Sequence, residues 1–313
     1  MKILVTGANG FIGNALLKQY AMIDTELIAI IKDRNENIDS ISHYTNVRIV
    51  YCGMDNYSDL INLIPDRDID TCIHLAWAGS FGNQRSDFNL QLSNIKYSLD
   101  LIQVLGKLHV KRFIGIGTLA EKDVMAYHFQ NGATPSPVSE YGISKLSLHL
   151  FSKIECLKNG VEHIWCSFSN TYGEYNTTNN FINFALKKFL TGERASFTSG
   201  EQLYDFVHIS DTVNSLIAVV ERGVSGNWYY LGSNNPRPLK EYILAMRDLV
   251  DSSIPLYLGE VPFDGKSLTL EDLDCSLLIN QVGYSPQITF SEGIVRTIDW
   301  LKSEMENKNE SQF

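Results

Sequence analysis

The opening thirteen residues, Met1 to Gly13, limit the fold of this chain more than any other stretch. Ile3, Leu4 and Val5 form a short apolar run with β-branched members, which suits a strand buried on both faces of a parallel sheet. Gly7, Gly10 and Gly13 follow at intervals of three, and Leu16, Leu17 and Tyr20 then recur at helical spacing. The glycines therefore sit on a strand-to-helix turn. Such a turn needs residues without Cβ where the chain reverses, where backbone approaches a pyrophosphate and where helix packs on strand. The helix start offers unpaired N–H groups and the positive end of its dipole to phosphate. A structural glycine turn has the same look taken alone. Position favours the nucleotide reading, because the first strand of the chain runs straight into this turn.

An anion held there must be met by local donors, since the 313-residue chain carries a net charge of -10 and a pI near 5.2. That balance also argues against nucleic-acid or membrane-surface partners, which need a basic face. The amino terminus lacks the pattern of a signal peptide and no later apolar run approaches a membrane span, so a soluble cytoplasmic protein is expected. The five cysteines, Cys52, Cys72, Cys156, Cys166 and Cys275, contain no Cys-x-x-Cys pair, and their odd number suits small core residues better than a disulfide framework. No metal site is expected.

Glu26 to Ile31 reads as a second buried strand, ending in Ile31 and followed by Lys32, Asp33 and Arg34. NAD-binding sheets place an acid at this tip to accept from the adenosine ribose. An apolar tip with two cations beyond it favours NADP over NAD, Lys32 and Arg34 meeting the extra phosphate with charge-assisted bonds. The plainer alternative leaves both cations solvated and Asp33 as the acceptor. Val47 to Tyr51 is a third strand leading to Asp55, a candidate for the adenine amino group or else a helix cap. Thr71 to Trp77 is a fourth strand whose end belongs beside the cofactor, and His74 within it reads as a satisfied core residue. Phe88 to Leu105 is helical, with Asn94 among apolar neighbours, where a buried amide needs a partner or a task. Lys111 to Gly117 is a fifth strand ending at Thr118. A long helix then opens at Ser139 and runs to about Leu157, carrying Tyr141 and Lys145 one turn apart on one face. An ammonium so placed is expected to draw the phenol down from its usual pKa near 10 toward the working range.

With these residues in view, the chain resembles the extended short-chain dehydrogenase/reductase family, in its nucleotide-sugar branch. The resemblance rests on Thr6 to Gly13, on Ile73 to Ala76, on Asn94, Thr118, Tyr141 and Lys145, on Asn170 to Gly173 and on Asp205 to Asp211. It implies an α/β fold: a Rossmann-type doubly wound parallel sheet with a smaller, interleaved α/β substrate-binding lobe. The cofactor domain is expected over 1–168 with a returning segment at about 203–225, and the lobe over 169–202 and 226–313. The polar tail from Glu304 to Phe313 is expected to fray. By the same resemblance Tyr141 is the proton donor or acceptor, Lys145 tunes it and holds the nicotinamide ribose, Thr118 binds the reacting oxygen and Asn94 supports a relay water. Cofactor contacts fall to Gly7, Asn9, Gly10, Phe11, Ile12, Gly13, Asp55, Leu75, Ala76, Trp77 and Phe168. Substrate contacts fall to Thr118, Tyr141, Asn170, Asn180 and Tyr204. The helices around Phe88 to Leu105 and Tyr141 to Leu157 imply a homodimer.

The departures from the family pattern narrow the chemistry. Tyr204 and Ser167 stand where the family often has arginines for the substrate diphosphate. Leu119 and Ala120 follow Thr118 where 4,6-dehydratases carry an Asp-Glu pair, and Leu119 replaces the Cys of combined epimerase-reductases. Elimination and ring-carbon epimerisation by those routes are set aside. The expected activity is NADPH-dependent reduction of a nucleotide-activated 4-keto-6-deoxyhexose, such as dTDP-4-dehydro-6-deoxyglucose, of the kind that supplies deoxysugars for surface polysaccharides. The alternative is a 4-epimerase with retained NAD. A non-catalytic NAD(P) sensor is a weaker third, because such proteins often lose the Tyr or the Lys that this chain keeps.

Overall fold

The computed structural model describes residues 1–23, 25–128, 139–263, 265 and 267–310. Strand β1 (Lys2–Thr6) passes through the glycine turn into α1 (Phe11–Ala21), β2 (Glu26–Ile31) and β3 (Val47–Tyr51). There follow α2 (Leu60–Leu63), β4 (Thr71–His74), α3 (Phe88–Lys107), β5 (Arg112–Thr118), α4 (Ala120–His128), α5 (Ser139–Lys158) and β6 (Glu162–Phe168). The chain continues through β7 (Asn170–Tyr172), α6 (Phe181–Thr191), β8 (Leu203–Tyr204), β9 (Phe206–His208), α7 (Ile209–Arg222) and β10 (Trp228–Leu231). It ends with β11 (Arg237–Pro238), α8 (Leu239–Val250) and α9 (Phe290–Glu310).

Seven strands form one parallel sheet in the order β10-β6-β5-β4-β1-β2-β3. This is the doubly wound arrangement. The order reverses between β1 and β4, and the carboxyl ends of strands at such a reversal leave a crevice for a ligand. Every residue of β1 from Ile3 to Thr6 is buried, as a strand covered on both faces requires. On one face Leu4, Ile28 and Ile30 pack with Leu60 of α2, Leu101 and Leu105 of α3 and Leu148 of α5. All five cysteines are buried and none is disulfide-bonded.

The chain divides into two compact units. The first comprises Met1–Phe168, Val213–Leu231 and Leu277–Tyr284, and the second Ser169–Thr212, Gly232–Ser276 and Ser285–Phe313. The returning segment expected at about 203–225 is thus later, and Trp228 to Leu231 belongs to the first unit. The reason is β10, which pairs in parallel with β6 from Trp228↔Trp165 to Leu231↔Phe168. Asp205 to His208, by contrast, serves the second unit, where β9 pairs with β7 and β8 with β11. The core of that unit joins Ile182, Leu186 and Phe189 of α6 to Tyr242, Ile243 and Met246 of α8 and Ile294, Ile298 and Leu301 of α9. The tail expected to fray from Glu304 is helical as far as Glu310, and residues 311–313 lie outside those described. No helix among the described residues is long and apolar enough to cross a membrane.

Candidate active site

The glycine turn is built around close backbone approach. Gly7 has φ +65°, and a Cβ there would lie 2.8 Å from the Ala76 nitrogen and 2.9 Å from its Cα. A Cβ on Gly13 would come within 2.7 Å of the Ala8 carbonyl oxygen. The turn is therefore pressed against the end of β4, and α1 against the turn. Gly10 is the N-cap of α1 and no side chain caps that end. The N–H groups of Phe11 and Ile12 open the helix without intrahelical acceptors. This cradle fits a dinucleotide pyrophosphate, both in its space and in its donors.

Around the tip of β2, Ile31 is buried and Lys32 exposed. Asp33 turns inward on its own loop, accepting from the Asn35 N–H at 2.8 Å. The Arg34 guanidinium lies 4.7 Å over the Tyr51 ring. Glu36 was not singled out by sequence, yet it takes a 3.0 Å hydrogen bond from the Asn9 side chain and so brings a carboxylate to the glycine turn. Asp55 is exposed on a 3-10 segment, Met54–Asp59, that begins at Gly53 with no side-chain cap. The helix-cap reading of Asp55 is not the one adopted.

Strand β4 stops at His74, so Leu75, Ala76 and Trp77 form a loop rather than the strand end expected. His74 is a satisfied core residue, with Nδ1 2.7 Å from the Thr6 hydroxyl and Nε2 2.8 Å from the Ser98 hydroxyl. Burial lowers its pKa to about 3, so it stays neutral. Asn94 is buried and its amide grips Ala78, accepting from the N–H at 3.0 Å and donating to the carbonyl at 2.8 Å. Its backbone carbonyl accepts from Ser98 at 2.7 Å. The Asn94 side chain thereby holds the loop after β4. Gln91, one turn earlier on α3, completes the strap: it donates to the carbonyls of Gly79 and Gln84 and accepts from the Trp77 indole at 2.9 Å.

Against this loop β5 and α5 bring Thr118, Tyr141 and Lys145 together. Lys145 is buried, donates to the Ile116 carbonyl at 2.7 Å and lies 3.9 Å over the Trp77 ring. Loss of water pushes its pKa down to about 7, with Glu121 opposing the fall. Tyr141, also buried, hydrogen-bonds Thr118. Its ring meets Trp77 edge-on at 6.2 Å and carries the Arg85 guanidinium at 4.6 Å. The phenol is pushed up by burial, against the opposing pull of Arg85 and the Thr118 hydrogen bond. The expectation that Lys145 draws the phenol down is therefore corrected: desolvation outweighs nearby cations, and the cation on the ring is Arg85.

Glu121 is the other residue the sequence reading passed over. It is fully buried and accepts from the Thr118 N–H at 2.7 Å and the Trp165 indole at 3.0 Å, with His149 Nδ1 at 3.6 Å. A carboxylate reaching back to the backbone of a Thr three residues earlier is half of a capping box, so the spacing Thr118-x-x-Glu121 was a usable signal. Arg85 offered none, because only tertiary packing brings it to Tyr141. Phe168 is the register partner of Thr118 at the carboxyl end of β6. Ser167 is buried and accepts from the Trp228 indole at 2.7 Å.

Asn170, Asn180 and Tyr204 lie in the second unit. Asn170 donates to the Asp205 carbonyl at 3.0 Å. Asn180 caps α6, accepting from the Asn183 N–H at 2.9 Å. Tyr204 stacks on Phe206 at 5.5 Å. The acids of the Asp205 to Asp211 motif anchor loops: Asp205 accepts from the N–H and hydroxyl of Ser233, and Asp211 from the N–H groups of Gln287 and Ile288.

The profile of the NAD dependent epimerase/dehydratase family matches residues 3–232. A dTDP-glucose 4,6-dehydratase of Salmonella typhimurium is 22% identical, covering 96% of this chain and 92% of that protein. An uncharacterized protein of Methanocaldococcus jannaschii is 24% identical, covering 98% and 97%. Among solved structures, a UDP-glucuronic acid 4-epimerase of Bacillus cereus, in complex with UDP-glucuronic acid and NAD, superposes with a TM-score of 0.79 at 23% identity, over 97% of this chain and 99% of that one. At that identity the likeness is one of fold.

Proposed function

Because the chain belongs to the NAD dependent epimerase/dehydratase family, we propose that it is an NADPH-dependent reductase acting on the 4-keto group of a nucleotide-activated 4-keto-6-deoxyhexose. The observation that carries this reading is the grouping at the end of β5: a buried Tyr141 phenol beside Thr118, with the buried Lys145 one turn further along α5 and Trp77 against both side chains. The Gly7 to Gly13 turn and the start of α1 would hold the pyrophosphate, and Lys32 and Arg34 would meet the additional phosphate of NADP. When bound, the dinucleotide supplies the hydride. Thr118 and Tyr141 take the ketone oxygen between their hydroxyls, and Tyr141 transfers its proton to that oxygen as charge develops there. A positioned donor of this kind contributes roughly 10²–10⁴-fold. Lys145, with a pKa of about 7, returns a proton to the phenol at neutral pH. Trp77 covers the amine and keeps water from it. Neither Leu119 nor Ala120 offers the acid that elimination needs, and Glu121 is committed to Thr118 and Trp165.

A 4-epimerase with retained NAD is the second reading, and one observation favours it. Glu36 sits against Asn9 of the glycine turn while Arg34 lies on Tyr51, which suits ribose hydroxyls better than a phosphate. Incubation with NADPH and dTDP-4-dehydro-6-deoxyglucose separates the two. Loss of NADPH absorbance, abolished in Tyr141→Phe with NADPH binding retained, is the expected result. Interconversion of 4-hydroxy sugars with no added cofactor and no NADPH loss would replace reduction by epimerisation.

The proposed assembly is a homodimer through α3 and α5. Helix α5 exposes Leu150, Phe151, Ile154 and Leu157, and α3 exposes Phe88 and Leu92. A contiguous apolar stripe of this kind marks an interface in a soluble protein.

A further inference from the structure

The second unit contains a cavity of about 280 Å³ to which the hydride and proton transfers assign no role. Arg237 of β11 supplies its one cation. The guanidinium lies 4.5 Å over the Tyr242 ring and 5.7 Å over the Phe290 ring, which fix its plane. Arg237 is partly buried and hydrogen-bonds the Tyr242 hydroxyl, while its Nε is shielded from solvent with no hydrogen-bond partner among the described residues. An N–H of a charged group left without an acceptor in a buried site is costly, and contact with aromatic faces compensates a guanidinium only in part.

No Asp or Glu lines the cavity. The neighbouring carboxylates, Asp205 and Asp211, are engaged by the backbone of the loops around it, at Ser233, Gln287 and Ile288. The facing wall is the start of α9, a helix of 21 residues whose first-turn N–H groups carry partial positive charge. Ser291 adds a hydroxyl at its rim, as does Thr289, whose oxygen accepts from the Glu292 N–H at 3.3 Å. A fixed guanidinium with an unanswered N–H, a helix amino terminus and hydroxyl donors thus converge on one space.

From this convergence we infer that the cavity binds a phosphate or diphosphate group, with Arg237 as its counter-charge. The volume suits a diphosphate and lies at the lower edge of ligand pockets, which run from about 300 Å³. The β8–β11 register sets Arg237 directly opposite Tyr204, so the cation missing at position 204 stands on the adjoining strand. The inference rests on the nucleotide-sugar reading only for whose phosphate is bound.

Isothermal titration of the full chain with pyrophosphate, dTDP, UDP and thymidine tests it. Wild type is expected to bind the first three and not the nucleoside. Arg237→Met is expected to weaken that binding at least tenfold, with melting temperature and NADPH binding unchanged. Ser291→Asp guards against a folding defect, because an acid in the first turn of α9 favours the helix yet repels an oxyanion, and the same tenfold loss is expected. Binding of pyrophosphate but neither nucleotide, still dependent on Arg237, keeps the anion site and removes the nucleotide sugar as its source. Absence of pyrophosphate and nucleotide binding to wild type, or undiminished binding to folded Arg237→Met, overturns the inference.

Discussion

Lys145→Met tests the buried amine most directly, through stability rather than turnover. In the folded chain burial lowers the Lys145 pKa from 10.5 to about 7, while the unfolded chain keeps the ordinary value. Between those two pH values the unfolded state holds the extra proton, so stability rises with pH across that window. Below about pH 7 both states are protonated and the full cost of burying the ammonium is present. The gap corresponds to roughly 5 kcal/mol at about 1.4 kcal/mol per pKa unit. Working the two titrations together, wild type should gain about 2 kcal/mol from pH 7 to pH 9 relative to Lys145→Met. The hydrogen bond to Ile116 and the contact with Trp77 shift the two proteins by a constant and leave that slope alone. Urea melts of both proteins without cofactor, at pH 7, 8 and 9, give the comparison. A difference that stays flat across the series would refute the argument, because it would mean Lys145 titrates as it does in water.

Three further outcomes are expected. Gly7→Ala combines a left-handed backbone, about 1–2 kcal/mol for an L-residue, with a Cβ 2.8 Å from backbone that cannot yield; its urea midpoint should fall and dinucleotide binding should be lost, and a wild-type midpoint would count against the close approach. Glu121→Gln leaves one amide oxygen for two N–H donors, Thr118 and Trp165, a loss of about 1–3 kcal/mol. The same change removes the charge that raises the Lys145 pKa, so the Lys145-dependent limb of the pH–rate profile should move to lower pH; an unmoved limb would deny Glu121 that influence. Leu150→Glu with Ile154→Glu should yield monomers by sedimentation if the exposed stripe on α5 is the dimer face, and dimers that persist would place the interface elsewhere.

Local pattern carried the amino-terminal half well, because glycine spacing and side-chain period act over a few residues. The limits of β2 and β3 fall where the apolar runs place them. Misplacements came where pairing partners are distant in the chain. Trp228 to Leu231 falls in the stretch read as substrate lobe until β6, some sixty residues earlier, is seen beside it. His74 was readable as core, whereas its partners Thr6 and Ser98 come from elements far apart in sequence.

The sequence by itself determined the strand-turn-helix opening, the alternation of strands and helices, and the helical turn that separates Tyr141 from Lys145, since each follows from residues close along the chain. Only the tertiary structure decided the burial of that pair, and with it the direction of each pKa shift, because desolvation depends on what packs around a group and not on its neighbours in the chain. Arg85 over the Tyr141 ring, Glu121 beneath Thr118 and Trp77 against the Lys145 amine come from separate loops and helices. Burial among them pushes the phenol up and the amine down to about 7, while Arg85 opposes the first shift and Glu121 the second.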